Sequence, residues 1–491
     1  MNIKGQGNAI QVFWLALGYF TSFAVGIGSA MILSRYFDKA EYGTYRQIIY
    51  VYNTLLVIFS VGLPKVYAYF LPKYNKEEGR YIVNKITRLL LLFGFLFSIS
   101  LYFGSDYIAN ILKNPELSYG LKLFSPIPFL MLPTLGIEGI YSTYKKTLTI
   151  AIYNITTRLL MLFLIVLPVV VFEGTYIYAI YGWLAVSVIS FIIALILKNK
   201  PFRNLQTVKP NFTYKSILNY STPIVVASLA GVAIQSSNQF FISRYFGEVE
   251  FANFSNGFIQ LPFVVMVTSS VATVLMPQIS KLHTTNPEKI GVLYKSAIIN
   301  SAIVLYPLIS FFLVFSSDIV EILFTSSYLD SSNYMKLSMI FNYFNILVFA
   351  PILLGMGASK AYSKIHIITA IFLWILSYGV VFFVPNPHLV AIVFVFMRVV
   401  LIAMAYKVIL QLLKVKLTDI LPVYFFLKLI FHTLGCAVLT FYFMSFLEVN
   451  IILNINISFT IYMIILLISD IVLKNLYLQK YLAFFNKIRN Q

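Results

Sequence analysis

The chain has 491 residues, 60% of them hydrophobic and 11% charged, with a formal net charge of +19. Soluble domains carry about 25% charged residues; that deficit and a mean hydropathy of +0.85 point to a polytopic membrane protein. The single cysteine, Cys436, excludes an intrachain disulfide and cysteine-rich metal clusters, and four scattered histidines form no metal motif.

Apolar runs of about 20 residues, long enough to cross a bilayer, recur from end to end. Stretches such as "LLLLFGFLFSISLYF" (89–103) do not alternate in polarity, as the strands of a membrane β-barrel would. The reading is all-α, with fourteen helices over residues 10–34, 45–71, 82–103, 119–143, 148–172, 176–197, 214–243, 251–277, 292–315, 333–357, 362–384, 389–410, 422–446 and 455–473. The first follows Lys4 with no small-residue cleavage site ahead of a soluble domain, so it reads as a membrane helix, not a removed signal peptide. Pro64, Pro133, Pro262 and Pro351 fall inside spans. They mark kinks, because neighbouring helices can satisfy the freed backbone groups.

Charge orients these spans. With the N-terminus cytoplasmic, inner connections collect Lys73, Lys76, Arg80, Lys85 and Arg88, then Lys198, Lys200, Arg203, Lys209 and Lys215, then Lys281, Lys289 and Lys295. The outer ones hold Arg35, Lys39, Arg46, Lys113, Lys122, Arg244 and Lys336. This is the positive-inside pattern. It places both termini in the cytoplasm and reads the basic balance as a topology signal, with no nucleic acid as partner.

One phrase occurs twice. "ILSRYFDKAEYGTY" (32–45) and "FISRYFGEVEFANF" (241–254) align without a gap, sharing Ser-Arg-Tyr-Phe and then a glutamate, Glu41 and Glu250. Six crossings separate the copies, an even number, so the halves point the same way. This predicts two parallel six-helix lobes, 1–200 and 201–416, related by an axis along the membrane normal, with two further helices and a tail over 417–491.

"SRYFDKAEYGTY" resembles the segment between the first two helices of polysaccharide exporters of the multidrug/oligosaccharidyl-lipid/polysaccharide (MOP) exporter superfamily. In the second copy Ala252 replaces the glycine of the motif. The resemblance implies a Wzx-type flippase, moving an undecaprenyl-diphosphate-linked oligosaccharide across the bacterial cytoplasmic membrane by alternating access. Expected partners are that lipid-linked unit, membrane lipids, a polysaccharide polymerase and a chain-length regulator.

Charges deep in a membrane cost about 2.5–3.5 kcal/mol each on insertion scales and are functional candidates by default. Lys65, Arg158 and Arg398 lie within spans and are expected to meet the diphosphate; Lys428 is close enough to a helix end to snorkel. Arg46 shares a face with Asn53, and Asn253, Asn256 and Gln260 follow at helical spacing. Arg35 and Arg244 of the repeated phrase are expected at the outer rim of the substrate path. The plainer reading of these polar groups is interface anchor or glue between helices. Glu138 either balances Lys65 or Arg158 or couples an ion. There is no G-x-x-x-x-G-K-[ST] loop and no connection long enough for a catalytic domain, so neither a cofactor nor an enzyme is expected. The alternatives are another cargo in the same fold, a lipid-linked peptidoglycan precursor or a drug, or a membrane-embedded polymerase or transferase.

The topology is testable in a Cys436→Ser background. A cysteine replacing Glu173 should react with an impermeant maleimide in intact cells, and one replacing Arg203 only after the cytoplasmic face is opened. Labelling at Arg203 in intact cells would overturn the orientation.

Overall fold

The computed structural model describes residues 8–447 and 449–472; the tail charges used for orientation, Lys4, Lys474, Lys480, Lys487 and Arg489, lie outside them. All regular structure among the described residues is helical. Packing divides the chain into two compact units, Met1–Ala252 and Asn253–Gln491.

The first unit contains α1 (Asn8–Tyr36), α2 (Lys39–Phe59), α3 (Leu63–Phe70), α4 (Lys76–Leu112), α5 (Glu116–Phe124), α6 (Pro126–Met131), α7 (Ile137–Thr143), α8 (Thr147–Phe172), α9 (Tyr176–Asn199) and most of α10 (Tyr214–Gly257). The second contains α11 (Pro262–Thr285), α12 (Glu288–Val314), α13 (Ser316–Phe324), α14 (Ser331–Asn345), α15 (Ala350–Gly355), α16 (Ser359–Phe383), α17 (Pro387–Leu413), α18 (Leu417–Ile420), α19 (Val423–Met444) and α20 (Ile451–Val472). By length and hydropathy, eleven described helical runs can cross a membrane, or twelve if α2 and the α3 stretch count as one bent span. The fourteen expected are not all recovered by this measure; α1 and α10 occupy the intervals 10–34 and 214–243 but stand outside that set.

The four in-span prolines sit where helices stop and restart. Pro64 opens α3, Pro262 opens α11, Pro351 opens α15, and Pro133 begins the short 3-10 turn before α7. A proline has no N–H to donate and fits the first helical turn, where that N–H would be orphaned anyway. The chain bends by 43° between α2 and the α3 stretch. The run α10 is interrupted at Gly247 (φ 82), between the intervals 214–243 and 251–277, and the latter, expected as one helix, is two: α10 ends at Gly257, Leu261 is extended, and α11 starts at Pro262. The residue before a proline is driven out of the helical region. The second and fourth spans of the first unit are broken, and so are the intervals in the corresponding places of the second half. The repeat thus recurs as a pattern of interruptions.

Tight crossings rest on small residues, as lipid-embedded helices require. At Gly182 in α9 an added Cβ would collide with the Leu164 carbonyl of α8 and come within 2.7 Å of the Ile165 Cα. Gly182→Val should therefore destabilise the first unit by about 1–3 kcal/mol, seen as a lower Tm in detergent. Gly379→Val, where nothing lies within 4 Å of the added Cβ, should leave Tm near wild type.

Candidate functional site

Both copies of the repeated phrase belong to one packed seam of the first unit. Asp38 caps α2 by accepting the Glu41 N–H at 2.8 Å, and Glu41 in turn accepts the Tyr176 N–H at the start of α9, at 2.7 Å. An acid at a helix N-terminus meets the positive end of the dipole; Glu41 serves two helices at once. Gly43 has no room for a side chain, because a Cβ there would collide with the Glu248 carbonyl of the second copy. One turn on, Gln47 donates from Nε2 to Ser243 Oγ at 2.8 Å. Asn114 donates to Gln47 Oε1 at 2.6 Å and to Thr44 Oγ1 at 2.9 Å. Gln47, Asn114 and Ser243 are all buried. Arg244 donates to the Ile111 carbonyl in the last turn of α4 and lies 5.5 Å from the Tyr245 ring centre. The repeat sets a lobe boundary at 200/201, whereas packing holds the chain to the first unit as far as Ala252, through these bonds from α2 and α4 to α10.

The expected site residues fall into three settings. Arg35 is exposed at the end of α1, its guanidinium 2.5 Å from the Met31 carbonyl, and Arg46 is half-buried on α2. Lys65 and Glu138 are exposed on α3 and α7, both just after a break. These two short helices pack together, with the Tyr67 ring on Gly136 and the α3 backbone on Gly139. Gly136 has φ +91 and a Cβ there would strike the ring, so only glycine serves. Arg158, on α8, is open on one side and enclosed elsewhere: one guanidinium nitrogen lies 3.4 Å from Met161 Sδ, and Tyr52 and Tyr153 stand within electrostatic reach.

In the second unit, Arg398 of α17 faces aromatic rings. Its guanidinium carbon is 5.2 Å from the Phe341 ring centre, a cation–π distance. Tyr362 and His366 of α16 stand within electrostatic reach, with their ring centres 4.2 Å apart. Arg398 Nε is buried without a hydrogen-bond partner among the described residues, as are both amide atoms of Asn342, beside Phe341. Buried polar groups are almost always bonded, so Arg398 holds an unused donor and Asn342 an unused amide. Asn256 is buried near the end of α10, whereas Gln260 is exposed in the break before α11. The single helical face expected for Asn253, Asn256 and Gln260 does not form, because the helix stops at Gly257. Open ground on α16 adds Lys360 and Lys364 to a pocket of about 450 Å³.

Three positions escape the linear reading. Gln47 and Asn114 look like ordinary polar residues of a helix and a turn. Lys198 reads as part of a basic inner connection, yet it is 1% exposed. The signal for it is phase: Ser187, Ser190, Ala194 and Lys198 form one buried stripe of α9.

Residues 32–333 match the profile of a family described as polysaccharide biosynthesis protein. Among curated protein sequences none matches the chain. Several solved structures share the fold. A lipid II flippase, MurJ, in an inward closed conformation has TM-score 0.69 and 16% identity, covering 95% of this chain and 99% of that one. An inward-facing multidrug resistance MATE family transporter of the MOP superfamily has TM-score 0.61 and 14% identity, covering 84% and 97%. A MOP superfamily transporter from Pyrococcus furiosus has TM-score 0.57 and 15% identity, covering 83% and 96%.

The buried amide network makes a definite demand. Gln47→Leu leaves Ser243 and Asn114 each short of a partner, a loss of about 1–3 kcal/mol for an unsatisfied buried group. Tm should fall accordingly, and the double variant Gln47→Leu with Asn114→Leu should lose less than the sum of the two single losses.

Proposed function

Because the chain belongs to the polysaccharide biosynthesis protein family, we propose that it is a flippase for an undecaprenyl-diphosphate-linked oligosaccharide, a transporter and not an enzyme. Its cargo would pass from the inner to the outer leaflet of a bacterial cytoplasmic membrane by alternating access. Both termini would be cytoplasmic, in keeping with the charge pattern. A polymerase and a chain-length regulator would use the flipped unit.

The observation that carries the reading is Arg398. A guanidinium that stays charged at any physiological pH is held among rings with an unused donor, in a span where charge is costly. A diphosphate offers acceptors in the geometry of the guanidinium fork, and sugars stack on aromatic faces. Arg158, in the first unit, would add a second guanidinium with Tyr52 and Tyr153 within electrostatic reach. Lys65 would add a cation beside the α3 break. Asn256 and Gln260 would offer amides to sugar hydroxyls. Arg46, Arg35 and Arg244 would border the path on the outer side, with Arg244 also fastening α4. Glu138 is the candidate for ion coupling, or the counter-charge of Lys65 or Arg158. Broken helices near the binding region are a recurrent feature of secondary transporters, and Lys65 and Glu138 stand at such breaks.

Deletion of the gene should abolish one surface polysaccharide while its lipid-linked unit accumulates; absence of that unit, with its synthesis enzymes intact, would sink the reading. In the deletion strain, Arg398→Gln and Arg158→Gln should insert normally by immunoblot. Each should lower polysaccharide output by about 10-fold or more, the scale of a lost charge-assisted hydrogen bond. Full output from Arg158→Gln combined with Glu138→Gln would reduce Arg158 to a structural counter-charge.

A further inference from the structure

Lys198 is the one lysine or arginine in the fully buried set of described residues. Its Nζ lies 3.0 Å from the Tyr67 hydroxyl and 3.5 Å from Thr87 Oγ1, and those two oxygens are 2.9 Å apart. Tyr67 belongs to an apolar cluster with Leu63, Val66, Ile82, Ile86 and Ala194. No charged side chain is within hydrogen-bond distance of Lys198 Nζ among the described residues. Lys65 of α3, Arg88 of α4, Glu138 of α7 and Lys200 beyond α9 are exposed. Lys85 of α4 donates to the Phe212 carbonyl at 2.7 Å. Tyr141 of α7 donates to the Leu197 carbonyl at 2.9 Å, and Tyr144 and Tyr153 pack at the edge of the cluster.

Hydrogen-bond accounting gives this triad a preference. A neutral amine has two N–H groups and can donate one to the Tyr67 hydroxyl oxygen and one to Thr87 Oγ1. An ammonium brings three N–H groups and no lone pair, and the closed triad offers it two oxygens. The added N–H and the added charge are satisfied only if water enters. The triad also sits at a mechanical junction. Tyr67 lies on α3, just past the break at residues 60–62; its ring packs on Gly136, where α7 restarts, and its Cβ packs on Gly139. Thr87 is on α4 and Lys198 on α9. Three side chains thus join the inner parts of two broken spans to two continuous ones.

We propose that Lys198 is the proton-binding residue of the transport cycle, closing the triad as a neutral amine and releasing α3 and α7 when it takes up a proton. The step is a simple transfer: the Nζ lone pair forms a new N–H bond with a proton from water on the side that the charge pattern assigns to the cytoplasm. One positive charge enters the site, and no electron moves. The proposal rests on the transport reading above and supplies its coupling residue.

The test needs no cargo, so its failure leaves the flippase reading intact. Ser142→Cys on α7, exposed, is labelled with an environment-sensitive fluorophore in a Cys436→Ser background, and emission is followed from pH 5 to 9 in nanodiscs. The parent should show one titration. Lys198→Met should abolish it while eluting as a folded monodisperse species. Tyr67→Phe, which keeps the ring on Gly136 and removes the hydroxyl, should shift its midpoint. A parent with no titration, or a Lys198→Met protein with an unchanged one, would overturn the proposal. If Lys198→Met does not fold, Tyr67→Phe decides: an unmoved midpoint also overturns it. In proteoliposomes loaded with the native lipid-linked oligosaccharide, an imposed pH gradient should accelerate transport by the parent and not by Lys198→Met.

Discussion

The hydrocarbon core of a bilayer offers a peptide group no hydrogen-bond partner, and this requirement governs the chain from end to end. Each N–H and C=O at that depth must be satisfied by protein, which confines a non-barrel chain to helices. The composition answers that requirement, and the all-helical architecture follows. The places where helices stop are then the informative ones, because each interruption releases backbone groups that something nearby must accept. Prolines mark them: Pro64, Pro133, Pro262 and Pro351 each stand at a restart. At these points the chain needs close packing from neighbours; between α3 and α7, Gly136 provides it by admitting the Tyr67 ring and Gly139 by admitting the α3 backbone.

The interruptions also locate chemistry. Lys65 and Glu138 follow two of them, and the Lys198 triad ties the same two short helices to their longer neighbours. A continuous helix has one stable arrangement of its ladder. A broken span has lost part of that ladder and depends on side-chain packing at the break, here by Leu63, Val66, Tyr67, Ile137, Ile140 and Tyr141.

The repeated phrase has a physical meaning that neither copy has alone. The first copy brings Gly43 and Gln47, and the second brings Glu248 and Ser243; they interlock through a glycine contact and a buried amide bond. Glycine is needed in the first copy because the second approaches it. The arginines of the phrase divide in role for the same reason. Arg244 donates to the Ile111 carbonyl of α4, and Arg35, exposed, donates to the Met31 carbonyl of α1.

By itself the sequence determined the membrane class, the all-helical fold and the family. All of these depend on local composition or periodicity, which a linear reading measures directly. It also singled out Arg158 and Arg398, since a charge inside an apolar run is conspicuous. Tertiary structure alone decided which polar residues meet. Gln47 finds Ser243 across 196 positions, and Lys198 finds Tyr67 across 131. It also separated Gln260 from Asn256 by ending a helix, and it surrounded Arg398 with rings drawn from α14 and α16. The physical reason is that hydrogen bonds and ring contacts act over a few ångströms in space, and the folding of the chain, not its order, brings their partners within that range.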